Sequence, residues 1–262
     1  MRRLWLLGAL AGAASLPAVP LHAVQDEFRW SGRLAAGKVV EIKGVNGDVS
    51  ATAAGGNEVE VVAVKSARRS DPAEVEIKVV EHANGVTICA VYPTPRRARR
   101  ENVCAPGDEG HMGTEDNDVS VRFTVRVPAG VRFVGRTVNG DVEAAALAAD
   151  VEAHTVNGGV SVSTKGHARA STVNGSIVAT MGRAAWADEL EFETVNGGIT
   201  LTLPAELDTE VHASSVNGDV ESDWPLTVKG RFGPRRVDGV IGKGGRSLHL
   251  GTVNGTIRLR KG

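Results

Sequence analysis

Apolar and polar residues alternate one for one through much of this chain, the two-residue period of a strand with one buried face and one wet face. The clearest case ends at Pro128, where Val119, Val121, Phe123, Val125 and Val127 interleave with Ser120, Arg122, Thr124 and Arg126. Phe28, Trp30 and Leu34 begin the pattern, and Val40 and Ile42 carry it into a first Val-Asn-Gly, so the opening reads strand, turn, strand. Further strand-like runs follow at Val59, Val61 and Ala63, at Val75, Ile77 and Val79, and at Val86, Ile88 and Ala90. An exposed loop from Ser66 to Ala73 and the turn Asn84-Gly85 separate them. From Pro93 to Asp118 the period is lost, and this segment reads as a long excursion, first basic and then acidic.

Beyond Pro128 the period is punctuated by a repeat. Val-Asn-Gly stands around Asn46, Asn139, Asn157, Asn174, Asn196, Asn217 and Asn254, and the residue three after each Asn is always Val or Ile. The Asn positions step by 18, 17, 22 and 21 residues from Asn139 to Asn217, and then by 37 to Asn254. The long step divides at Val237-Asp238-Gly239, where Asp238 replaces Asn and Ile241 keeps the third-residue rule, which predicts a degenerate copy. Asn tolerates and Gly favours positive φ, so the pair turns the chain at little cost.

The Val before each Asn and the Val or Ile three after it are expected to face inward. The Thr or Ser two before it (Thr137, Thr155, Thr172, Thr194, Ser215, Thr252) is expected to face outward or lie in the turn. A period of about 20 residues suits either a β-solenoid coil or a repeated hairpin. A two-residue hairpin would put the invariant Val and the invariant Val/Ile on opposite faces, whereas a solenoid corner or a three-residue loop keeps both inside. The predicted fold is therefore all-β: a parallel β-helix-like solenoid over residues 136–262, preceded by a strand-rich region at 24–135 that carries the 93–118 excursion. Stacked corners would bring Asn46, Asn139, Asn157, Asn174, Asn196, Asn217, Asp238 and Asn254 into a hydrogen-bonded ladder with a repeat of about 4.8 Å.

Composition agrees with short strands and tight corners, since aromatics make up 4% of the chain and glycines number 32 of 262 residues. At the start, Arg2 and Arg3 precede an apolar run from Leu4 to Leu16, then Pro17, Pro20 and Leu21-His22-Ala23. Residues 1–23 read as a secretory signal peptide cut after Ala23; the alternative, a retained anchor, suits a short, proline-broken run less well. Cleavage would leave 28 basic and 31 acidic residues, a net charge of −3, on a protein expected in a periplasm or outside the cell and not integral to a membrane. In that oxidising setting Cys89 and Cys104 form an even pair, read as a disulfide closing a local loop, with two free thiols as the alternative.

Candidate chemistry is sparse. Asp48, Asp141 and Asp219 follow Asn-Gly, but Gly159, Ser176 and Gly198 interrupt the column a calcium-binding repeat would need, so they read as turn caps. His154 and His212 lie on strands just before corners and read as solvated or edge histidines. Gly242-Lys243-Gly244-Gly245 lacks the spacer and the Ser/Thr of a phosphate loop. No nucleophile motif and no assignable acid pair are present, so neither a catalytic residue nor a cofactor is expected. The cluster Arg96, Arg97, Arg99 and Arg100 is the one local feature suited to an anion, because guanidinium groups pair with phosphate and carboxylate. The alternative is a solvated loop neutralised by Glu101, Asp108 and Glu109. Nucleic acid is not an expected partner, given the export signal, the acidic balance and the lack of interleaved aromatics.

The signal peptide, the early Val-Asn-Gly-Asp-Val at Val45 to Val49, the Val-Pro-Ala-Gly-Val turn at Val127 to Val131 and the serial Thr-Val-Asn-Gly corners together carry a resemblance. From about Phe28 to Arg260 the chain resembles the bacterial putative-adhesin family of exported β-strand-repeat proteins, a domain of unknown function. The resemblance implies an envelope or surface β-solenoid without established chemistry, so the leading expectation is a non-enzymatic binding surface for an envelope or surface component. The rival is a polysaccharide-active β-helix enzyme, which should gather charged side chains from neighbouring coils into a groove. Outward positions read from sequence are mostly Thr, Ser, Ala and Val.

Overall fold

A computed structural model describes residues 26–187, 189–229 and 235–262. The signal peptide assigned to 1–23 lies outside the described residues. In chain order the strands are β1 (Asp26–Gly32), β2 (Val39–Lys43), β3 (Val49–Ala53), β4 (Val59–Ser66), β5 (Glu76–His82), β6 (Gly85–Val91) and β7 (Ser120–Val127). Then come β8 (Arg132–Arg136), β9 (Val142–Leu147), β10 (Val151–His154), β11 (Val160–Thr164), β12 (Ala168–Ser171), β13 (Ile177–Met181), β14 (Leu190–Asn196) and β15 (Ile199–Leu203). The last are β16 (Thr209–Asn217), β17 (Val220–Ser222), β18 (Thr227–Lys229), β19 (Arg235–Ile241), β20 (Ser247–Asn254) and β21 (Ile257–Lys261).

These strands form two sheets around one core. The first runs β1-β4-β7-β3-β9-β11-β13-β15-β21-β17, and the second runs β18-β19-β16-β20-β14-β12-β10-β8-β2-β6-β5. Each Val-Asn-Gly corner joins a strand of the second sheet to a strand of the first, making a rung of two strands. Neighbouring rungs pair in parallel, as β10 does with β12 and β11 with β13. Antiparallel pairs occur toward the ends, at β1-β4-β7, β5-β6 and β16-β19-β18. Because side chains alternate along each strand, one set per strand turns inward. Phe123, Phe133, Phe192, Ile177, Ile199 and Leu201 are fully buried in the shared core, each contributing about 1.5–3 kcal/mol.

The corner residues reverse part of the sequence reading. The Val before Asn faces solvent, with Val138, Val156, Val173, Val195, Val216 and Val253 between 37% and 44% exposed. The Thr or Ser before that Val is buried instead. Its hydroxyl donates to the glycine carbonyl of the adjoining rung, as Thr155 Oγ1 does to Gly140 O (2.8 Å), Thr172 Oγ1 to Gly158 O (2.9 Å) and Thr194 Oγ1 to Gly175 O (2.8 Å). A buried carbonyl needs a donor, and this outweighs the preference of Val for the interior. In the first copy Gly44 stands where the others have Thr or Ser, and there Val45 is buried.

Close approach, and not the expected positive φ, accounts for most of the corner glycines, since only Gly47 and Gly140 of the seven have positive φ. A Cβ on Gly175 would stand 1.9 Å from Gly158 O, and one on Gly197 would stand 2.0 Å from Gly175 O. The rungs approach too closely there for any side chain.

Rung order departs from chain order. β20 lies between β14 and β16, and β21 lies between β15 and β17, so the corner of Asn254 sits between those of Asn196 and Asn217. Asp238 is no corner at all. It lies within β19, which pairs antiparallel with β16 and sets Asp238 opposite His212. The buried Val237 and Ile241 that suggested a repeat are inward residues of that strand.

The excursion between β6 and β7 packs against the outer side of the second sheet. Cys89 and Cys104 form a disulfide with 5.7 Å between their Cα atoms. Asn102 Nδ2 donates to Tyr92 O (2.9 Å) and Gly113 O (2.8 Å), and the Tyr92 hydroxyl donates to Val119 O (2.7 Å). Lys43 Nζ donates to the carbonyls of Ala105 and Gly107.

Candidate functional site

Parallel pairing multiplies whatever a strand presents outward, because equivalent positions on adjacent rungs lie side by side about 4.8 Å apart. On the first sheet the middle rungs are bland, with charge gathered toward the ends at Arg122, Arg126, Arg258, Arg260 and Glu221. One outer row runs Ser50, Glu143, Ser161, Val178, Thr200, Arg258 and Glu221. The Ser and Thr positions foreseen for both faces belong mainly to this one.

The second sheet carries charge along its middle rungs as well. One outer row includes Thr87, Glu41, Val134, Glu152 and Arg169 in register, and a further run aligns Glu191, His249, His212 and Asp238. A parallel row aligns Lys43, Arg136, His154, Ser171, Glu193, Gly251, Ser214 and Arg236. These residues are scattered over some two hundred positions, and each alone reads as an ordinary solvated side chain. Only the rung register brings them together.

Three sets of contacts organise this face. Under the excursion, Glu41 is almost wholly buried. It accepts from Thr87 Oγ1 (2.8 Å) and Gly107 N (3.0 Å) and pairs with Arg136 Nε (3.2 Å) and Lys43 Nζ (3.7 Å). Burial pulls the Lys43 ammonium below its ordinary range, with Glu41 opposing that shift. Farther along, Glu152 lies between Arg132 (3.3 Å) and Arg169 (4.0 Å). His154 and those arginines hold its carboxyl below the usual range despite burial.

At the other end, the rings of His212 and His249 meet at a tilt of 38° with centroids 4.7 Å apart. His212 Nδ1 is 3.1 Å from Asp238, and His249 Nε2 is 3.2 Å from Glu189. Burial and the neighbouring Glu191 raise the Glu193 carboxyl above its ordinary value. His212, His249, Asp238, Glu191 and Glu193 line a depression of about 280 Å³. Among the described residues no group of three or more His, Cys, Asp or Glu is arranged to hold a metal ion.

The ladder positions meet as follows. Asn139 Nδ2 donates to Asn46 Oδ1, Asn157 to Asn139, Asn174 to Asn157 and Asn196 to Asn174, each at 2.8 Å. Asn254 then donates to Asn196 (2.7 Å) and Asn217 to Asn254 (2.8 Å), while Asp238 lies elsewhere on β19. Asp48 accepts from the backbone N–H of Asp141 (3.0 Å) and Asp141 from that of Gly159 (2.7 Å), so both link corners of successive rungs.

Arg96, Arg97, Arg99 and Arg100 are all exposed in the excursion. Of the acids expected to neutralise them, Asp108 pairs instead with Arg136 at 3.1 Å. His154, set aside from sequence as an edge residue, bonds Ser171 Oγ (2.8 Å) beside Glu152.

Two sheets joined by recurring corners, with a charged row on one outer face, define an all-β repeat protein. The chain belongs to the Toastrack DUF4097 family, which it matches over residues 37–260. Among solved structures it is similar to a putative cell adhesion protein from Clostridium sporogenes, at 12% identity and a TM-score of 0.47, covering 91% of this chain and 100% of that one. It is also similar to a putative adhesin from Bacteroides fragilis, at 14% identity and a TM-score of 0.37, covering 89% and 97%. No curated protein matches it.

Proposed function

We propose that this chain is a non-enzymatic, exported β-solenoid of the cell envelope, and that the outer face of its second sheet is a binding surface for an envelope or surface component. The observation carrying this reading is the pair of register-aligned charged rows on that face, from Glu41 and Lys43 to Asp238 and Arg236. Parallel rungs supported by the asparagine ladder make a stiff platform, and stiffness lowers the entropic cost of binding. Export is supported by the basic pair and apolar run at the start of the chain and by the Cys89–Cys104 disulfide.

Pull-down of envelope fractions tests the reading with two variants. One replaces Glu191, His212 and His249 by Ser on the face; the other replaces Arg96, Arg97, Arg99 and Arg100 by Ser in the excursion. The face variant is expected to lose binding and the loop variant to keep it. Loss of all binding in the loop variant alone would make the arginine cluster the working part.

A second reading has one observation in its favour. Glu191, Glu193 and Asp238 line the same depression as His212 and His249. Such a group of acids is what a polysaccharide-active enzyme would need, with the raised Glu193 carboxyl as proton donor. Release of reducing ends from envelope polysaccharide, abolished by Glu193→Gln, would establish that reading in place of the first.

A further inference from the structure

Beside the Glu152 pair, the second sheet forms a depression of about 520 Å³ lined by Arg132, Arg169, Arg183, Arg246 and His167. Four guanidiniums on one concave surface repel one another, and the two acids that line it among the described residues, Asp150 and Glu152, are already engaged. Asp150 Oδ1 accepts from the backbone N–H of His167 (3.0 Å) and lies 3.4 Å from its ring, while Glu152 is shared by Arg132 and Arg169. Arg169 is also fixed by two donations to Glu189 O (3.1 and 2.6 Å). The guanidiniums of Arg183 and Arg246 have no hydrogen-bond or ion-pair partner among the described residues, and both arginines are exposed. Buried Trp186, which donates its indole N–H to Ser247 O (3.3 Å), lines the same depression.

We infer that this depression is an oxyanion subsite, in which Arg183 and Arg246 clamp a carboxylate or phosphate of an anionic envelope polymer while Arg132 and Arg169 set the positive field. The inference rests on the reading of this face as a binding surface and adds the chemical class of the ligand. Guanidinium is suited to the task because its planar fork meets either oxyanion with two parallel N–H donors. The two free groups come from segments far apart in sequence, one after β13 and one before β20, and the insertion of β20 beside β14 brings them to one depression. Their positions outside the core make them replaceable without loss of the fold.

Calorimetric titration of the purified full chain with inorganic phosphate, galacturonate oligomers and neutral dextran tests the inference. Phosphate or galacturonate, or both, should saturate one site, and dextran should not bind. Saturation by only one anion names the source of the oxyanion. The double variant R183S/R246S should weaken binding by about tenfold or more, through loss of two charge-assisted contacts. Replacing Arg96, Arg97, Arg99 and Arg100 by Ser should leave it unchanged, and binding should weaken as salt rises. Unchanged affinity in R183S/R246S, equal binding of dextran, or no saturable binding of either anion would overturn the inference. Those results would leave the envelope pull-down free to stand; conversely, a failed pull-down with intact anion binding would remove only the broader reading.

Discussion

Thr172 is buried and donates its hydroxyl to Gly158 O, whereas Val173 beside it is 39% exposed. The apolar residue of the repeated corner is its outer one. Thr172→Val keeps the shape of the side chain but removes the donor, and should cost about 1–3 kcal/mol by leaving the Gly158 carbonyl unsatisfied. Val173→Thr should lie within about 0.5 kcal/mol of the parent. Ile177→Asp, at a fully buried position, should unfold the chain or come close to it, while Val173→Asp should be mild. Urea midpoints at constant slope give the comparison. Equal costs for Thr172→Val and Val173→Thr would refute the assignment.

Close stacking makes a second test. Gly175→Ala sets a methyl group against the backbone of Gly158 and should cost about 3 kcal/mol or more. Gly159 provides the control, because a Cβ there would meet Ser176 O at an ordinary 3.5 Å. Melting temperatures of the two alanine variants should differ by many degrees; similar values would mean that the rungs are farther apart than described.

The disulfide closes a loop of 15 residues and should contribute about 3 kcal/mol through the unfolded chain. The C89S/C104S variant should therefore melt lower. The strands of the far rungs should keep their hydrogen-exchange protection, since the bond staples only the excursion to β6. Uniform loss of protection along the chain would show that the excursion supports the whole stack.

Tyr92 is the single tyrosine of the chain, so its ionisation can be followed by absorbance without assignment. Burial pushes its hydroxyl from 10.0 up to about 12. The folded state thus holds the phenol proton more tightly than the unfolded state does. This contribution to stability is fully present below pH 10.0 and is lost as pH rises toward about 12. A phenolate midpoint near 10 in the folded protein would show that Tyr92 is open to water. Tyr92→Phe should cost about 1 kcal/mol, because Val119 O loses its shorter donor and keeps Asn46 Nδ2 at 3.4 Å.

Much of the strand content was legible, since alternation such as Val119 to Val127 admits one reading. The corner orientation was not, because counting apolar positions gives no weight to a carbonyl that needs a donor. Thr172 and its equivalents are inside for that polar reason. Asp238 was mistaken for a corner because Val237 and Ile241 have the spacing of a repeat, although the same spacing is simply the inward set of an antiparallel strand. Rung order was hidden because the corners of Asn217 and Asn254 are nearly interchangeable, so local sequence does not say which neighbours Asn196. The charged face went unseen for a related reason: Glu152, Arg169, Glu191, His249 and His212 become neighbours only after the rungs are stacked.

The displaced rung has a consequence for how the stack can be completed. From the Asn139 corner to β15 the strands can join in the order in which they are made, with β10/β11 laid on β8/β9, β12/β13 on those and β14/β15 on those in turn. The next rung, β16 with β17, has no native neighbour when it first appears, because the face it will cover belongs to β20 and β21. Assembly must therefore pause with a bare β14/β15 edge until Ser247 to Lys261 has been made, and then two rungs dock together. Exposed edges of that kind pair readily with other chains, so synthesis halted anywhere between Leu203 and Ser247 leaves a species primed for association with its own kind, along an edge that β20 and β21 cover in the finished protein.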